Sequence, residues 1–154
     1  MILYEDKDII VCHKMAGIAV QSARIGEKDL VSMLNNHLME QAGQRMEPVR
    51  VVHRLDQPVE GVMVLARTKE AAAVLSAQAA GTDMQKTYVA VTRGILPESK
   101  GQLTDFLLRD GKTNTSRVVD RKTTGAKKAV LDYKVLAVQP AETEQALVEI
   151  HLHT

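Results

Sequence analysis

VRVVHRLDQPVEG, residues 49–61, decides how the chain is read, because a run of strand formers ends there in His53, Arg54 and Asp56. Val49, Val51 and Val52 predict a strand, and the charged residues after them predict a turn. A strand that steps into a charged turn brings polar side chains to the rim of a sheet, where rigid backbone borders an open cleft. On chemistry alone two readings fit: a catalytic rim, or a surface ion pair of Arg54 with Asp56, of the common and weakly stabilising kind.

Upstream, Asp29 can cap a helix whose Leu30, Val31, Leu34, Leu38 and Met39 form one apolar stripe, predicted to face the core. Gly43 and Pro48 close that helix. Residues 1–4 and 8–13 read as two strands joined by the turn Glu5-Asp6-Lys7-Asp8, and Lys14-Met15-Ala16-Gly17 as a second turn, in which Gly17 supplies freedom of backbone angle. Downstream, residues 62–66 read as a buried central strand, and Thr68 caps an alanine-rich helix over residues 69–80 that Gly81 ends. Residues 85–91 alternate, with Lys86, Tyr88 and Ala90 on one face and Thr87, Val89 and Val91 on the other. Residues 94–111 read as a connection whose Leu103, Phe106, Leu107 and Leu108 cover the sheet as a turn or short helix. A short strand over 116–120 follows, then a long hairpin of 129–138 with 145–153 around Pro140-Ala141-Glu142-Thr143.

With 154 residues, 45% hydrophobic and 25% charged, the composition is that of an ordinary folded domain or part of one, and excludes a disordered chain. No apolar run approaches the ~20 residues of a membrane-spanning helix, and the acidic start MILYEDKDII lacks a signal-peptide pattern. A cytoplasmic protein without membrane partners is expected. Cys12, the single cysteine, sits among apolar neighbours and reads as a buried structural thiol. Net charge is only +1, yet residues 109–128 carry Arg109, Lys112, Arg117, Arg121, Lys122, Lys127 and Lys128 against Asp110 and Asp120. That clustering predicts a patch able to engage phosphates, although any one of these residues fits a solvated hairpin as well.

His53-Arg54-Leu55-Asp56, followed at fixed spacing by Gly61 and VMVLART, resembles the signature of the RluA-type pseudouridine synthases: HRLD, two variable residues, Thr-Ser-Gly and an apolar strand. Val59-Glu60 stand where the family usually has Thr-Ser, and Glu60 adds a negative charge near Asp56. Lys14 and Gly17 match the family's Lys-Pro-x-Gly turn, from which Met15 departs. Lys86-x-Tyr88 resembles its second motif, whose tyrosine packs against the target base. The third motif, Gly-Arg-x-His-Gln-Ile-Arg, ordinarily follows the strand that ends here at Thr154 and is not in the chain. The resemblance covers essentially all residues present.

The resemblance implies an α+β fold, a mixed and mainly antiparallel sheet with helices packed on it, incomplete at the C-terminus. Residues 1–154 would form the first two thirds of a catalytic domain, without a separate RNA-binding domain. It implies isomerisation of uridine to pseudouridine in ribosomal or transfer RNA, with no cofactor and no metal. Asp56 is the implied catalytic carboxylate, as nucleophile or as base; an unperturbed aspartate, near pKa 3.9, is ionised at neutral pH. Arg54, Tyr88, His53 and Lys86 are the implied substrate contacts, Arg54 filling the space of the extruded base. Arg117, Arg121, Lys122, Lys127 and Lys128 are expected on the RNA backbone. A chain ending mid-sheet predicts an unpaired C-terminal edge and self-association through it. Two rival readings remain: an RNA-binding module that does not catalyse, and a metal hydrolase using His53, Asp56, His151 and His153.

Overall fold

The computed structural model describes residues 1–24, 26–43, 47–81, 83–113, 115–139 and 144–153. The turn Pro140-Ala141-Glu142-Thr143 and Thr154 lie outside the described residues. The chain divides into two compact units, Met1–Met84 and Gln85–Thr154.

The first unit contains strands β1 (Ile2–Glu5), β2 (Ile9–Lys14), β3 (Arg50–Val51) and β4 (Gly61–Ala66), with helices α1 (Leu30–Ala42) and α2 (Lys69–Ala80). The strands form one sheet in the order β1-β2-β4-β3, with each neighbouring pair antiparallel. The β1–β2 turn is fixed by Asp6, whose carboxylate accepts the Asp8 and Ile9 amides; those bonds hold its carboxyl below the usual range. In β2 the residues alternate between half-buried and buried, so Ile10, Cys12 and Lys14 point to the interior. Their partners on β4 are Leu65, Met63 and Gly61. Ile10, Cys12, Met63 and Leu65 join Leu30, Leu34, Leu38, Val20 and Val49 in one core cluster. Burial pushes the Cys12 thiol up, in keeping with a structural role.

The predicted stripe of α1 holds at Leu30, Leu34 and Leu38, but Met39 is 48% exposed, because the stripe narrows at the helix end. The predicted burial of residues 62–66 is one-sided: Met63, Leu65 and Ala66 are buried while Val62 is exposed. α2 keeps its Thr68 cap and ends at Gly81, but none of its residues is buried, so its alanines form a thin cover next to β4 and β3.

The second unit is a five-stranded sheet of β5 (Lys86–Arg93), β6 (Lys100–Asp110), β7 (Thr115–Val118), β8 (Lys127–Gln139) and β9 (Gln145–Leu152), in the order β5-β9-β8-β6-β7. Every pairing in it is antiparallel. Two expectations are corrected here. Residues 100–110 form a strand rather than a turn or short helix, since Phe106-Leu107-Leu108 masks an alternation that pairing with β8 makes plain. The last strand is not an edge: β9 is flanked by β5 on one side and β8 on the other, from Lys86 opposite Leu152 to Arg93 opposite Gln145. Self-association through an open C-terminal strand therefore loses its basis. Gly101 is opposite Tyr133, and a Cβ there would lie 2.9 Å from the phenol ring, so a larger residue would displace the buried tyrosine. Tyr133, Ala146 and Val148 form the core of this unit, with Leu131, Val135 and Ile150 against it.

The α1 cap carries a checkable energy. Asp29 is buried and accepts the Ser22 and Ser32 amides at 2.7 Å each. Burial pushes its carboxyl up, but the amide bonds from Ser22 and Ser32 together outweigh it and hold the carboxyl below its ordinary value. Asp29→Ala is expected to cost about 1–2 kcal/mol in urea unfolding at neutral pH. Because the folded value is the lower one, the ionised cap contributes fully above about pH 4 and is lost as pH falls through the folded value. The gap between variant and wild type should shrink over that range.

Candidate active site

β3 is only two residues long, and the way it ends positions the site. Its ladder with β4 stops at Val51 opposite Leu65. The next β4 amide, Val64, donates to His53 Nε2 at 3.2 Å, so an imidazole replaces the backbone acceptor and the chain is released into a turn. His53 is thereby fixed to the sheet. Asp56 O accepts the Val59 amide, closing the turn, and both Arg54 and Asp56 are exposed on it. Among the described residues, no ion pair joins Arg54 to Asp56, so a guanidinium bonded to that carboxylate is not part of the arrangement.

The turn is clamped from below. Gly17, at φ +85°, donates its amide to Gln57 O at 2.8 Å, and Gln57 Nε2 returns a bond to Gly17 O at 3.0 Å. Lys14 Nζ donates to Ile18 O at 2.8 Å and to Met15 O and Gln57 O at 3.2 Å each. Lys14 is 0% exposed. Burial pushes its ammonium down from the ordinary value, while the charges of Asp56 and Glu60 act in the opposite sense. Glu60 itself is turned to His13, Oε1 to Nε2 3.1 Å.

In the second unit, Lys86 and Tyr88 share one face of β5, as the alternation predicts. Tyr88 is half-buried and pairs across β9 with Ile150, which pairs with Tyr133, while Val89 and Val91 on the other face are exposed. The predicted backbone contacts divide by register. Lys128 pairs with Phe106 and Arg117 with Leu108, which places both on the Phe106 face; Lys127 pairs with Leu107 on the opposite one. Arg121 stacks over the Phe106 ring at 5.9 Å, and Lys122 sits beside it in an exposed turn. Leu108, Arg109, Asp110, Thr115 and Arg117 line a cleft. Asp110 and Asp120 each accept the amide two residues on, so both carboxylates brace turns.

The family profile described as RNA pseudouridylate synthase matches residues 8–154. The chain belongs to the RNA pseudouridylate synthase family. Within this family it is 33% identical over 153 residues to the uncharacterized RNA pseudouridine synthase YhcT of Bacillus subtilis, covering 99% of this chain and 49% of that one. It is 33% identical over 139 residues to tRNA pseudouridine synthase C of Vibrio vulnificus, covering 88% and 53% respectively. The fold matches that of human RNA pseudouridylate synthase domain containing 4 with a TM-score of 0.81 at 27% identity, covering 99% of this chain and 59% of that structure. The chain thus spans about half the length of the curated relatives it matches.

Membership in the pseudouridylate synthase family agrees with the RluA-type signature at residues 53–61 and with the α+β architecture. Lys14 is the residue whose place sequence reasoning underrates, taking it for one member of a turn. Its signal was the alternation Ile10, Cys12, Lys14, which puts a lysine on the inward phase of a strand. The metal reading finds no support: among the described residues no three His, Cys, Asp or Glu side chains group to hold an ion. His151 bonds to Glu149 and Thr87, and His153 to Asp132 at 2.7 Å.

Gly61 of the signature has a steric reason in this family member. It faces Lys14 across the β2–β4 ladder, and a Cβ there would lie 3.2 Å from Leu55 Cδ1. Gly61→Ala should cost little, while Gly61→Val should cost about 1–3 kcal/mol by pushing Leu55 and the turn outward. Thermal unfolding of the two variants against wild type measures the difference.

Proposed function

We propose that the chain acts in the isomerisation of uridine to pseudouridine within structured RNA, with Asp56 as the catalytic carboxylate. The observation that carries this is Asp56 itself, exposed on a turn held by three bonds between residues 14–17 and Gln57. In this reaction the C1′–N1 bond breaks, the base rotates, and a C1′–C5 bond forms. The C5 proton leaves to solvent and N1 gains one, so atoms and charge balance without a cofactor. An ionised carboxylate serves as nucleophile at C1′ or as base at the sugar.

A uridine in a stem or loop must leave its stack first, at a cost of a few kcal/mol. Arg54 is suited to the vacated space because its guanidinium is exposed on the same turn as Asp56. Tyr88 offers a ring to the extruded base, a contact of about 1–3 kcal/mol, with Lys86 on the same strand face. Arg117, Arg121 and Lys128 around Phe106, with Lys122 beside them, are suited to phosphates; Lys127 serves the opposite face. Transfer RNA is the first substrate to assay, given the relative named tRNA pseudouridine synthase C.

RNA carrying 5-tritiated uridine provides the test. The protein should release tritium, and Asp56→Asn should slow release by about 10²–10⁴-fold with RNA binding retained. Equal release by wild type and variant would refute the role of Asp56. Binding without release by the unsubstituted protein would identify an RNA-binding module instead.

A further inference from the structure

The register of the second unit sets Tyr88 and the cations around Phe106 on opposite faces of one sheet. Cross-strand partners share a face, so the row Tyr88, Ile150, Tyr133 and Gly101 follows one face from β5 through β9 and β8 to β6. Along β6 every second residue stays on that face, which gives Leu103, Asp105 and Leu107. Phe106 and Leu108 have the other phase, and with them go their partners Lys128 and Arg117. The β6–β8 pairing runs without a shift from Lys100 to Leu107, and the irregularity between Val135 and Ala137 lies outside the row. A twist of about 20–25° per neighbouring strand turns the faces between β5 and β6 without exchanging them.

The topology adds to the second face. β7 and β8 flank β6 on opposite sides, so residues 119–126 must cross β6. Arg121 stacks over the Phe106 ring at 5.9 Å, and a Cβ on Gly125 would lie 3.4 Å from Leu108 Cδ1, so the crossing lies on the Phe106 face. Arg117, Arg121 and Lys128, all exposed, thus gather on the face turned away from Tyr88, whereas Lys127 lies on the Tyr88 face. A nucleotide stacked on Tyr88 is separated from the three by a continuous hydrogen-bonded sheet.

We propose that the Phe106 face binds a second segment of the substrate RNA, apart from the one that carries the uridine, so that the substrate class is a folded RNA with two elements placed around the β7 edge. The proposal rests on the RNA substrate and the Tyr88 contact proposed above. Three cations around a half-buried ring complement phosphates, so the second segment is held by its backbone and shape, not by its sequence. Hydroxyl-radical footprinting of an unmodified transfer RNA transcript tests this. Two protected regions in different arms are expected, and the double variant Arg117→Ala/Lys128→Ala should lose only one of them. A single protected region, none, or equal weakening of both in the variant would overturn the proposal.

Affinity gives a second readout, with the whole transcript compared to the excised arm that holds the converted uridine. Arg117→Ala/Lys128→Ala should weaken binding of the transcript by about tenfold and lower the slope of its salt dependence by about two, while weakening the arm by less than about twofold. Lys127→Ala, on the Tyr88 face, should weaken both alike. Equal losses on arm and transcript from the double variant would equally overturn the proposal. All three side chains are exposed, so their removal leaves the sheet core intact. Failure of the unsubstituted protein to convert any uridine would defeat the proposed function, while the footprint would still judge whether two segments are bound.

Discussion

An ammonium group removed from water needs acceptors for all three of its N–H bonds and a negative charge within reach, and the first unit meets that demand around Lys14. The demand fixes more than one residue. β2 must keep the register that sends Ile10, Cys12 and Lys14 inward, since a slip by one position would bury Ile9, Val11 and His13 instead. The loop after β2 must turn sharply enough to offer two carbonyls to the side chain before it, which Gly17 permits at φ +85°. The turn after β3 must then approach closely enough to offer Gln57 O. These constraints act on Gln57, the residue next to Asp56 in the turn.

The second unit solves a different problem with less material. Its core rests on Tyr133, Ala146 and Val148, so each packing contact has little redundancy. The row Tyr88, Ile150, Tyr133 and Gly101 runs across four strands, and the missing side chain at Gly101 makes room for the Tyr133 ring. Tyr88 is thereby half-buried on a face supported from below. The ring is ordered by its neighbours and still partly open to solvent.

Local chemistry was legible wherever one residue makes a local bond. Asp29 and Thr68 cap their helices as their side chains dictate, Gly43 and Gly81 follow the last turns, and the alternation of residues 86–93 survives intact. The HRLD signature located the Asp56 turn. What could not be read depends on partners distant in sequence. Phe106-Leu107-Leu108 reads as a strand only once β8 is known to lie alongside. The place of β9 between β5 and β8 cannot be inferred from its own eight residues, because an interior strand and an edge strand share the same alternation. Lys14 reads in sequence as the first residue of a turn, whereas β2 extends to it and its phase there points inward.

Formal charge also understates how the two groups of cations are used. Asp110 and Asp120 each accept a turn amide, from Lys112 and Lys122, and Arg117, Arg121, Lys122, Lys127 and Lys128 are exposed. Such exposed charges are screened over about 10 Å at 0.1 M salt, so their attraction for any polyanion weakens as salt rises. Lys14 lies beneath the protein surface, where its three bonds to Met15 O, Ile18 O and Gln57 O are out of reach of mobile ions. Salt therefore acts on the exposed cations far more than on the bonds of the buried lysine. The difference follows from burial alone: the exposed cations respond to salt, and the buried one holds two segments of the first unit together.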